Sequence, residues 1–142
     1  MTQKQKFGRD WILNLMKIMD SHLDGETKIK LMEECGRACA RRSTKKEALK
    51  FRGQLDGWLE KMKKWIGEEN IQKRENSVRV VYSRCFCPLV QNSPPILSDT
   101  YCNCSRGWLK ENFETVVGRS VKVKIEDSIM RGGKECRFSI LL

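Results

Sequence analysis

Near residue 76 the hydrophobic period of this chain changes from three-to-four residues to two, which divides it into a helical half and a strand-rich half. The expected fold class is therefore α+β: an N-terminal three-helix layer on an antiparallel sheet, a further helix covering that sheet, and a C-terminal β-hairpin. In the first half, Trp11, Ile12, Leu15, Ile18 and Met19 mark one amphipathic helix. After the break at "DGET", Ile29, Met32, Cys35 and Cys39 line a second. "RRSTKKE" reads as a restart, with Ser43 or Thr44 as N-cap and Glu47 three residues beyond Thr44. Leu55, Trp58, Leu59, Met62 and Trp65 form the stripe of the third helix, which Gly53 and Gly57 weaken by up to about 1 kcal/mol each.

In the second half, Val78, Val80 and Tyr82 alternate with polar residues as a half-buried strand. "QNSPPILSD" reads as a loop, because consecutive prolines cannot sit in a central strand. "SRGWLKENFETVVG" returns to helix over 105–117, stopped by Gly118. The end is a hairpin turning at Gly132 and Gly133. A two-residue turn there sets Ile129 opposite Cys136, Asp127 opposite Phe138, Ile125 opposite Ile140 and Val123 opposite Leu142, all on one face. Asp127 is the exception in that apolar set. Either a bulge turns it outward, or it points inward beside Cys136 and is satisfied by a metal or ligand, since an unpaired buried charge is too costly.

The 142 residues suit a single domain (1–70 helical, 76–142 cysteine-rich α+β) large enough to bury a core without staples. No run has the roughly 18 apolar residues of a membrane span. The start "MTQKQKFGRD" has no apolar signal region, so a cytoplasmic protein without a membrane partner is expected. The formal charge of +10 raises nucleic-acid binding. The lysines of "ARRSTKKEALK" and "EKMKKW", however, fall at the spacing of solvated helix faces, and no finger pattern or reading helix accompanies them. Nucleic acid is not the expected partner.

Four of the seven cysteines form two Cys-x-Cys pairs, Cys85 with Cys87 and Cys102 with Cys104. In an extended segment each pair shares a face, and the intervening residues are long enough to fold the pairs together as a tetrahedral thiolate site, sulfurs about 2.3 Å from the ion. One intervening residue is not the usual zinc-knuckle spacing, so inert buried thiols and a reactive thiol stay open beside a metal. Cys104 precedes the expected helix start with Arg106 nearby. Dipole and charge would favour its thiolate there, making it the first candidate for reactivity. An odd number of cysteines in a reducing compartment disfavours disulfides. Cys35 and Cys39, one turn apart, could join a site as ligands but read first as part of a buried helix stripe, and the single histidine, His22, as no part of a catalytic triad.

The stretch "YCNCSRGWLKENFETVVGRSVKVKIEDSIMRGGKECRF", above all its closing "GGKECRF", resembles the 4-vinyl reductase-type domain over about residues 78–142. That resemblance implies a small α+β module that binds small molecules, found alone and as the sensor of bacterial regulators of aromatic catabolism. The same closing pattern is similar to the L-2-amino-thiazoline-4-carboxylate hydrolase family. In aromatic-sensing members an acidic residue and three cysteines hold zinc. The last would fall on Cys136 and the first on Cys102 or Cys104, but the middle one falls on Ser128, a poor zinc ligand. Cys85 or Cys87 would have to substitute.

The expected function is thus a small-molecule-binding module whose cysteine cluster (Cys85, Cys87, Cys102, Cys104, Cys136) is the candidate zinc site. Trp108, Phe113, Asp127, Phe138 and Trp58 are the candidate ligand lining. The alternative is a thiol-dependent hydrolase with Cys104 or Cys102 as nucleophile and backbone N–H groups as oxyanion donors. A third reading is an oligomeric interaction protein with inert cysteines. A sensing role would itself need a partner or a homo-oligomer.

Overall fold

The computed structural model describes residues 2–83, 99–129 and 133–142. Among these residues, five α-helices, α1 (Gln3–His22), α2 (Gly25–Arg42), α3 (Lys45–Lys50), α4 (Leu55–Ile66) and α5 (Cys102–Val117), accompany four strands: β1 (Ile71–Lys73), β2 (Ser77–Tyr82), β3 (Lys122–Asp127) and β4 (Cys136–Leu141). The strands form one antiparallel sheet in the order β1-β2-β4-β3. The fold is α+β, with a C-terminal β-hairpin. The "QNSPPILSD" loop, apart from Asp99, lies outside the described residues, as do Cys85, Cys87 and Gly132.

The helix starts follow from side-chain chemistry. Thr2 and Gln5 cap α1 reciprocally, and Asp24 caps α2 by accepting from the Thr27 N–H at 2.8 Å and its hydroxyl at 2.9 Å. Those bonds hold the Asp24 carboxyl below its usual range. Thr44 stands at the start of α3 but makes no cap bond. Its hydroxyl instead donates to Asn112 Oδ1 at 3.0 Å and accepts from Asn112 Nδ2 at 2.9 Å. The expected third helix is two, α3 and α4. Between them Gly53 turns at φ 77° and donates its N–H to the Val116 carbonyl at 2.8 Å, tying the break to α5.

The main core lies where α4 and α5 cover the sheet: Trp58, Met62, Val80, Phe113, Phe138 and Ile140 are fully enclosed. Val78, Val80 and Tyr82 point inward along β2, as their alternation predicts. A smaller core of Met16, Met32 and Tyr101, with Ile12, Leu13, Leu15, Met19 and Cys104 at its margin, joins α1 to the rest.

Two helix faces differ from expectation. On α1 the buried residue is Met16, while Trp11 and Ile18 are 57% and 55% exposed. Trp11 and Ile18, together with Phe7, fall on the side of the helix opposite Met16. On α2 the buried face is Met32, Gly36 and Ala40, and Cys35 and Cys39 are exposed. The reason is α5. A methyl on Gly36 would lie 1.8 Å from the Cys104 carbonyl oxygen, and one on Gly107 would lie 2.0 Å from the Glu33 carbonyl oxygen, so the two backbones touch where side chains are missing.

The hairpin register also differs. Val123 pairs with Ile140 and Ile125 with Phe138, two positions from the expected partners, and a bulge between Ile125 and Asp127 sets Asp127 opposite Arg137. A shift of two keeps every apolar residue on its face. The connection is longer than a two-residue turn, and the Gly133 N–H closes it by donating to the Ser128 carbonyl at 2.9 Å.

Candidate functional site

α5 begins at Cys102, three residues before the expected start at Ser105, and that changes what the Cys102–Cys104 pair can do. Residues two apart on a helix point about 200° apart, so the pair cannot present both sulfurs to one ion as an extended pair would. Cys102 is buried, with its sulfur 2.7 Å from the Ser128 hydroxyl. Cys104 packs at the margin of the smaller core beside Met16, Met32 and Tyr101. Cys136, buried at the start of β4, accepts the Ile129 N–H at 3.5 Å. The fold therefore brings Cys102 and Cys136 to the adjacent residues Ser128 and Ile129, and places Cys104 elsewhere.

Among the described residues no three His, Cys, Asp or Glu side chains are grouped to hold a metal ion. Two thiols and a serine hydroxyl do not make the four-ligand thiolate or imidazole set of a structural zinc. The described residues alone do not fit that ion, and Cys85 and Cys87 lie outside them.

The residues expected to line a ligand cavity serve mainly the core. Trp58, Phe113 and Phe138 are enclosed, and Trp108 packs partly buried against them. Trp58 meets Phe113 edge-on at 6.5 Å and Trp65 at 5.6 Å. Asp127, half-buried on the bulge, accepts the Ser128 N–H at 2.8 Å and packs on Gly133 so closely that a Cβ there would displace its carboxylate.

Concavity lies elsewhere. A groove of about 670 Å³ runs between the start of α2 (Gly25, Lys28, Ile29), the first turns of α5 with Thr100 (Asn103, Arg106, Lys110), and the edge strand β3 (Lys122 to Ile125) with Leu141. Its apolar lining is Ile29, Val123, Ile125 and Leu141, and its basic lining is Lys28, Arg106, Lys110, Lys122 and Lys124. The carboxylate of Glu33 holds two of these cations. Lys110 Nζ lies 3.0 Å from both oxygens, and Arg106 Nε lies 3.1 Å from one, at an angle that leaves its N–H without an acceptor among the described residues. Lys28 pairs with Asp20 at 3.2 Å, and Thr100 donates to the same carboxylate at 3.0 Å. Lys122 and Lys124 have no ion-pair partner among the described residues.

Further along the α2–α5 seam, Glu111 is 6% exposed and receives Arg41 at 2.7 Å, Arg37 at 3.3 Å and Lys45 at 3.5 Å, while Arg37 also reaches Glu114 at 2.7 Å. Burial pushes the Glu111 carboxyl up, but the Arg41 hydrogen bond and the charges of Lys45, Arg41 and Arg37 outweigh it and hold it below its ordinary value. This network locks the helix pair that forms one wall of the groove.

In the sequence Arg106 reads as a charge beside Cys104, and the lysines assigned to solvated helix faces, those of "ARRSTKKEALK" and "EKMKKW", are not the ones that line the groove. The signal for the groove was present in the alternation of Lys122 and Lys124 and the one-turn spacing of Arg106 and Lys110, but nothing local joins the two pairs.

No helix among the described residues is long and apolar enough to cross a membrane. No curated protein matches the chain. A family model matches it from end to end, residues 1–142, and on that match the chain belongs to the family of unknown function DUF6144.

Proposed function

We propose that this protein is a small-molecule-binding module whose ligand occupies the groove between α2, α5 and β3. The observation that supports this reading is the groove itself: about 670 Å³, within the range of small-ligand sites, with apolar residues and convergent polar groups in one lining. Thr100 and Asn103, both buried, add fixed polar atoms, with Asn103 held by the Thr100 carbonyl at 3.1 Å. A cytoplasmic location suits the exposed thiols of Cys35 and Cys39, which an oxidising compartment would put at risk of cross-linking. The alternative of a thiol-dependent hydrolase draws no comparable support, since Cys104 packs at a core margin and Cys102 is buried against Ser128.

The test is saturable one-to-one binding of the fluorescent probe anilinonaphthalene sulfonate to the folded chain, and its loss in Ile29→Trp, which fills the groove from an exposed helix position. Binding that Ile29→Trp leaves unchanged would place the probe outside the groove and remove this reading.

A further inference from the structure

Resting on that reading, we propose that the groove selects an amphipathic anion: a carboxylate, sulfonate or phosphate ester attached to an apolar body. Five basic side chains from three separate elements line one concavity, while among the described residues the carboxylates paired with them are two, Asp20 and Glu33. The excess is positive, and a cleft with low-dielectric walls focuses such a field rather than dispersing it. Lys122 and Lys124, on the edge strand and without ion-pair partners among the described residues, are the groups an incoming anion would neutralise. Glu33 meanwhile keeps Arg106 and Lys110 in place on the opposite wall.

The apolar lining narrows the class. Ile29 and Leu141 are 38% and 45% exposed at the groove, beside Val123 and Ile125, and burying them against a ligand gains about 25 cal/mol per Å². A bare phosphate would leave that surface wet. A nucleic-acid strand would find no aromatic side chain among the described lining residues on which to stack a base. The ligand that uses both parts of the lining carries one charged head and one apolar body.

A matched pair of probes separates this inference from the reading beneath it. Anilinonaphthalene sulfonate and N-phenylnaphthylamine share the same rings and differ by the sulfonate. The sulfonate probe should bind the full chain about tenfold more tightly, the value of roughly one charge-assisted hydrogen bond. The double variant Lys122→Gln, Lys124→Gln should remove that advantage, weakening the sulfonate probe about tenfold more than the neutral probe, with thermal unfolding unchanged. Raising salt from about 0.01 to about 1 M should weaken the sulfonate probe alone. Equal binding of the two probes overturns the anion inference while the ligand-binding reading stands. Binding of neither overturns both. Octanoate should displace the bound sulfonate. Displacement at lower concentration by a single-stranded oligonucleotide, or by phosphatidylserine vesicles, would instead assign the charge to a macromolecule or a lipid surface and overturn the proposal.

Discussion

Gly36 of α2 sits so close to the carbonyl of Cys104 in α5 that a single added methyl would stand 1.8 Å from that oxygen. The obstacle is backbone, not the movable end of a side chain, so Gly36→Ala must drive the two helices apart. The expected loss is about 3 kcal/mol, at the upper end for overpacking, read as a lowered urea midpoint with an unchanged slope. Gly8 provides the opposite case within the same protein. It lies inside α1 with nothing within 4 Å of a Cβ, so Gly8→Ala should stabilise by up to about 1 kcal/mol.

Asn112 is fully enclosed and exchanges two hydrogen bonds with Thr44, besides donating to the Trp108 carbonyl at 3.1 Å. Removing either partner strands the other. Asn112→Ala should cost more than Thr44→Ala, and a double-mutant cycle should return a coupling of about 1 kcal/mol. Strict additivity would mean that the pair contributes nothing to joining α3 and α5.

Acid should weaken the α2–α5 seam. Glu111 has a folded pKa below its unfolded one, so its stabilisation is complete above the ordinary carboxylate range and is lost as pH falls through the lowered folded value. Glu111→Gln cannot titrate. Between about pH 5 and about pH 2 it should lose less stability than the natural protein, measured by denaturant unfolding at each pH. Parallel curves would assign the acid sensitivity to other carboxylates.

Access ranks the thiols. Cys35 and Cys39 are exposed on α2, Cys104 is half-buried, and Cys102 and Cys136 are buried. Under native conditions a small alkylating reagent should label the first two before the last two, as read by peptide mass mapping. Cys104 labelled faster than Cys35 would show an activation that outweighs its burial, and would favour the nucleophile reading.

Much of the fold is written in local sequence, because its causes act over a few residues. Asp24 caps α2 whatever lies beyond it, Gly118 ends α5 in the left-handed conformation at φ 76°, and the alternation through Val78, Val80 and Tyr82 makes a strand with one buried face. The inward face of β3 was likewise legible, since a register error of two preserves it. β1 was not: three residues are too few to show a period.

What only the tertiary structure decided concerns which neighbour each face meets. By composition Cys35 and Cys39 look more apolar than Gly36, yet the glycine is buried and the cysteines are exposed, because close approach of α5 rewards the absence of a side chain. Beginning α5 at Cys102 turned a shared-face pair into an opposed one. The groove needs Lys28, Arg106 and Lys124 together, residues far apart in the chain, so no local pattern could announce it. The sequence by itself determined the elements and the excess of positive charge. Chain packing determined where that charge converges, because field and shape at a site are sums over residues that only folding brings together.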